Sequence, residues 1–70
     1  MRWEEIIGAN VRRLRVDRGL SQEALAGEAG LALRHLGRIE RGEGNPTIAM
    51  VGRIAEVLEI HPAELFEIVA

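Results

Sequence analysis

The side chains with the clearest chemistry in this chain are two arginines four residues apart, Arg34 and Arg38. A guanidinium is planar, permanently charged and forked, so it pairs bidentately with a carboxylate, a phosphate or the O6/N7 edge of guanine. At a spacing of four, two such groups lie on one face of a helix. Arg41 and Asn45 follow within a few residues, and all nine basic residues of the chain are arginine. Catalytic chemistry has much less to build on. His35 and His61, the two histidines, are far apart in sequence with no carboxylate partner or metal-ligand spacing. Cysteine is absent, and the eight glycines lack the spacing of a phosphate loop. The residues therefore point to binding rather than catalysis, with no metal and no cofactor.

Five helices can position these groups, and no strand pattern competes with them. The first is predicted from about Glu4 to Arg18, with Ile7, Val11 and Leu14 on one face and Gly19 closing it. Ser21 is a suitable cap for a second helix ending near Ala29, with Leu25, Ala26 and Ala29 buried. Gly30 then supplies a tight turn. A third helix is predicted from Ala32 or Leu33 to Glu40, with Leu36 and Ile39 inward and Leu33, Arg34, His35, Gly37 and Arg38 away from the core. Residues 41–46, RGEGNP, read as a loop in which Gly44 allows the turn. Thr47 caps a fourth helix with Ile48, Val51, Ile54, Ala55 and Leu58 on its apolar face. His61 and Pro62 open a short last helix, Ala63 to about Ile68, with Leu65 and Phe66 inward. Trp3 precedes the first helix on this reading. Helices this short are unstable alone and must stabilise one another by packing.

The 70 residues suit one small all-α domain, residues 1–70. An apolar content of 47% is too high for a disordered tail. No apolar run approaches the roughly 20 residues needed to span a bilayer, and the charged start lacks a signal-peptide pattern. A cytoplasmic location without membrane attachment is expected. Net charge is −2, but its distribution is uneven: residues 1–20 balance at +2, residues 21–44 at −1 and residues 45–70 at −3. A dipolar molecule of this kind can still offer a basic face to phosphates.

Four runs in order carry a resemblance: GANVRRLRVDRGLSQEALA, the turn at Gly30, LGRIERGEGNPT and IAEVLEIHPAELF. The chain resembles helix-turn-helix proteins of the Cro and phage-repressor type, the XRE family, over about Ile7 to Phe66. The resemblance implies a compact five-helix domain that binds double-stranded DNA as a small transcriptional regulator. It implies a second helix, about 21–29, across the backbone and a recognition helix, about 32–40, in the major groove. On that basis Leu33, Arg34 and Arg38 are the expected base contacts, Arg38 having the alternative of a salt bridge to Glu43 or the loop. Gln22, His35, Arg41 and Asn45 are the expected backbone contacts, with Glu43 opposing the loop's role by charge or restraining Arg41. The resemblance also implies an ion pair between Arg15 and Glu40 that ties helices together.

Some residues depart from that pattern. Ala32 cannot cap the third helix, an omission costing about 1 kcal/mol. Leu33 can touch a thymine methyl but cannot hydrogen-bond a base. Gly27 and Gly37 each cost roughly 1 kcal/mol against alanine inside a helix. The family implies a twofold dimer on a palindromic operator, and Ile68, Val69, Phe66 and Trp3 are the expected interface residues. Trp3 has a second reading as a staple for the N-terminus. A small-molecule effector is not expected, because so small a core has little room for a pocket. The rival reading is a protein-interaction or antitoxin-like module with weak DNA specificity, using the acidic C-terminal third toward a protein partner. Ala32, Leu33, Gly37 and the negative net charge fit that alternative.

Overall fold

A computed structural model describes residues 2–69, which form four α-helices and a closing 3-10 turn, without a strand among the described residues. The helices are α1 (Trp3–Asp17), α2 (Gln22–Ala29), α3 (Leu33–Glu40) and α4 (Ile48–Leu58). Their starts follow from local chemistry. The Ser21 hydroxyl accepts the Ala24 amide at 3.0 Å, and the Thr47 hydroxyl accepts the Met50 amide at 3.1 Å. Ala32 has no such oxygen, and α3 begins without a side-chain cap. Gly30 ends α2 at φ 72°, and the Leu31 amide reaches back to the Ala26 carbonyl at 2.8 Å. Glycine accepts this left-handed geometry without a Cβ penalty.

Val11, Leu25, Leu36, Ile54, Leu58 and Leu65 are fully buried and form the centre of the core. α1 lies against α3 and the closing turn, while α2 is held between α3 and α4. Gly8 permits the α1–α3 crossing, since a Cβ there would lie 2.1 Å from the Ile39 carbonyl oxygen.

Four sequence expectations about the first and last elements are corrected. α1 begins at Trp3 rather than after it, and its cap is Arg18, with Gly19 following at φ 70°. The last element is a 3-10 turn, Pro62–Phe66, so Ile68 lies beyond it. His61 starts this turn by accepting the Ala63 amide on Nδ1 at 3.0 Å. The tighter 3-10 winding turns Leu65 inward and leaves Phe66 43% exposed, contrary to the expectation that both are core. Phe66 instead meets Trp3, with ring centroids 6.4 Å apart at 58°, a tilted aromatic pair.

Asn10 fastens the C-terminal segment. It is buried on α1, and its Nδ2 donates to the Leu65 carbonyl at 2.9 Å and the Glu67 carbonyl at 2.8 Å. Its Oδ1 accepts from Arg13 at 3.2 Å. Asn10→Ala leaves both carbonyls without this donor and is expected to cost about 1–3 kcal/mol in urea unfolding. Asn10 stands on the Ile7–Val11–Leu14 stripe, and a polar residue on an apolar stripe is the sequence signal that identifies it.

Candidate nucleic-acid interface

The exposed side of α3 follows from its buried side. Leu36 and Ile39 turn into the core, so Leu33, Arg34 and Arg38 point outward, all exposed, while His35 is half-buried at the margin. Arg34 has no hydrogen bond or ion pair among the described residues. Arg38 makes a long contact, 3.4 Å, from its guanidinium to the Glu43 backbone carbonyl. Of the two alternatives for Arg38, a salt bridge to Glu43 or a contact to the loop, the structure has the loop contact, made to backbone: the Glu43 carboxylate faces Arg41 Nε at 3.3 Å.

Loop 41–46 is folded back on the end of α3. The Glu43 and Gly44 amides both donate to the Arg38 carbonyl, at 2.9 and 3.1 Å. The positive φ of the turn falls on Gly42 (76°), not on Gly44. Gly44 serves close approach, since a Cβ there would stand 3.1 Å from Ile39. Arg41 and Asn45 are exposed on this loop.

Behind this face lies a polar knot. Arg15 Nε donates to Glu40 Oε2 at 2.7 Å and Arg15 Nη2 to Glu40 Oε1 at 3.0 Å. Arg15 Nη1 donates to the Leu20 carbonyl at 2.8 Å. Hydrogen bonding to Glu40 raises the Arg15 pKa above its ordinary value, with burial opposing. Gln22 joins the knot, its Nε2 donating to Glu40 Oε1 at 3.0 Å. A carboxamide carries two N–H donors, so this bond leaves one for an anion at the start of α2. The knot thus joins α1, α2 and α3. A second arginine, expected only as the end of the first helix, closes α4: Arg18 donates to the Leu58 carbonyl at 2.7 Å and to the Glu59 carboxylate. That contact holds the Glu59 carboxyl below its ordinary pKa.

The geometry is two short helices joined by a rigid elbow at Gly30, the second carrying outward-facing guanidiniums. A family model for the helix-turn-helix, HTH_3, matches residues 11–65. The chain belongs to the HTH_3 helix-turn-helix family. It is a family of DNA-binding transcriptional regulators, similar to the Cro and phage-repressor proteins, and not of enzymes. The uncharacterized HTH-type transcriptional regulator y4dJ of Sinorhizobium fredii is 34% identical over 65 residues, covering 93% of this chain and 84% of that protein. The restriction-modification controller protein C.AhdI of Aeromonas hydrophila superposes with a TM-score of 0.87 at 40% identity, over 90% of this chain and 96% of that one. The N-terminal DNA-binding domain of SinR from Bacillus subtilis gives 0.85 at 31% identity, over 91% and 94%. SinR has also been solved in complex with DNA.

The surface away from α3 is apolar in places. Trp3 is 51% exposed, Ile68 62% and Val69 59%. The structure adds Ile48, at 92% exposed, where the sequence placed it on the apolar face of α4. As the first residue of its helix, Ile48 overhangs a hollow of about 320 Å³ that Pro46, Val51, Pro62 and Phe66 also line. Val57 and Ile60 are half-buried against the core. No helix among the described residues is long and apolar enough to cross a membrane.

Proposed function

We propose that this protein is a sequence-specific regulator that binds a palindromic DNA operator as a homodimer, with α3 of each protomer in the major groove. The observation that carries this reading is the outward pair Arg34 and Arg38 on a helix whose opposite side, Leu36 and Ile39, is locked in the core. A rigid helix presenting two guanidiniums at a spacing of four matches the hydrogen-bond edge of guanine in the major groove. Leu33 stands beside them for a thymine methyl. Gln22, His35, Arg41 and Asn45 surround this face and serve as backbone contacts. The matched relatives, which include a protein solved on DNA, support the same reading.

Two features support a dimer. The molecule measures 29 × 21 × 19 Å between Cα extremes, shorter than the ~34 Å between successive half-sites on one side of a duplex. Apolar surface at Trp3, Phe66, Ile68 and Val69 is available to a second copy, and an isologous contact has the twofold symmetry of a palindrome.

Selection from random duplexes, followed by titration at several salt concentrations, tests the reading. A palindromic preference and salt-sensitive affinity are expected. Arg34→Ala is expected to cost about 1–3 kcal/mol on the preferred site and to relax the choice at one base position per half-site. Uniform weakening on every duplex makes Arg34 a phosphate contact instead. Negligible binding to all duplexes makes the domain a protein-interaction module.

A further inference from the structure

Arg41 is placed differently from a free loop cation. Its guanidinium bends back along α3, and a Cβ built on Gly37 would stand 3.2 Å from Arg41 Nη1. Gly37 is four residues earlier, one helical turn, and it is buried although it lies on the outer side of α3. The missing side chain at Gly37 is therefore the space that the Arg41 head group covers. On its other side Arg41 meets the Glu43 carboxylate at 3.3 Å. Glu43 is itself fixed by its amide on the Arg38 carbonyl and by its own carbonyl, which accepts from the Arg38 guanidinium. One acidic residue thus engages both arginines at the end of α3.

From this we infer that Glu43 is an internal competitor for DNA phosphate: it holds Arg41 in the Gly37 slot, and Arg41 must leave Glu43 to grip a phosphate. The inference rests on the DNA-binding reading above and names a residue that sets affinity without touching a base. Its consequence is electrostatic. A cation already paired with a carboxylate releases less counterion when it meets DNA, because the carboxylate it leaves recruits a cation in turn. The salt dependence of binding is then shallower than the number of arginines on this face implies.

The test is a cycle of four full-length proteins: wild type, Glu43→Gln, Arg41→Ala and the double variant. Each is titrated with the selected operator and with an unrelated duplex at several salt concentrations. Both residues are more than half exposed, so the variants are expected to stay folded, which thermal unfolding checks. Glu43→Gln is expected to bind both duplexes roughly threefold more tightly at low salt. Its slope of log K against log salt is expected to steepen by up to about 0.9. In the Arg41→Ala background the same change is expected to have much less effect, because the residue it frees is gone. An equal gain in both backgrounds reduces Glu43 to general repulsion and overturns the inference, as does no gain in either. If wild type and all variants ignore every duplex, the DNA-binding reading fails and this inference falls with it. Binding by wild type with no effect of Glu43→Gln removes the inference alone.

Discussion

Arg15→Ala is expected to destabilise the protein by about 3–5 kcal/mol, a large part of the stability of a domain this small. The Glu40 side chain is 2% exposed and that of Arg15 12%, so in the intact fold Glu40 is balanced by protein groups and hardly at all by solvent. Glu40 retains only the Gln22 amide, and the Leu20 carbonyl loses its donor as well. A charge left buried with one neutral hydrogen bond is far more costly than the intact pair is favourable. In a 70-residue protein, each kcal/mol lowers the melting temperature by about 4–8 °C, so a fall of more than 10 °C is expected. Thermal and urea unfolding followed by circular dichroism measures it. Replacing both partners with apolar groups of similar volume, Arg15→Met with Glu40→Leu, is expected to cost much less than either single removal. A loss below about 1 kcal/mol for Arg15→Ala would mean that the two groups behave as a solvated surface pair. The comparison matters for function because the knot reaches α1, α2 and α3 together. Any loss of DNA affinity in Arg15→Ala therefore has to be read against its loss of fold.

The helical arrangement was legible because periodicity and punctuation agree in this chain. Ser21, Gly30 and Thr47 mark ends that the structure places within a residue of expectation. The same signals carried little information where side chains meet across helices. Phe66 illustrates the limit. A short apolar run before a chain end fits an α-helix or a 3-10 turn equally, and the choice decides which of two neighbours faces inward. The apolar stripe begins at Ile7 and so predicts a helix that starts after Trp3, yet the first helical turn needs no buried residue of its own. Arg18 gave no sign, since its partners, the Leu58 carbonyl and Glu59, are about 40 residues away in sequence. For the candidate interface, residue types and spacing nominated Arg34 and Arg38, and burial of Leu36 and Ile39 explains why they face outward. Spacing could not tell that Gly37 makes room for Arg41 or that the Glu43 side chain faces Arg41 rather than Arg38. Those facts depend on how the loop doubles back over α3, which a one-dimensional pattern does not encode.

Glycine shows how one residue type gives opposite results at two helical positions. Gly8→Ala is expected to destabilise by about 1–3 kcal/mol or more, and Gly27→Ala to stabilise by up to about 1 kcal/mol. Both lie inside helices, so both substitutions gain the same intrinsic preference of alanine. Their surroundings decide the sign. A methyl group on Gly8 would meet the Ile39 carbonyl oxygen at 2.1 Å, the Glu40 carbonyl oxygen at 3.1 Å and the Gly42 amide nitrogen at 3.2 Å. All three are backbone atoms, and none can rotate away as a side chain could. α1 and α3 would have to separate at the point where they cross. That separation would also lengthen the Arg15–Glu40 contact, which bridges the same two helices. The costs of Gly8→Ala and Arg15→Ala are therefore expected to be less than additive when combined. A methyl group on Gly27 meets nothing within 4 Å, so only the propensity gain remains. Urea unfolding of the two single variants reads both signs. A neutral Gly8→Ala would show that α1 can shift at no cost, and the support of α3 would then have to come from α2.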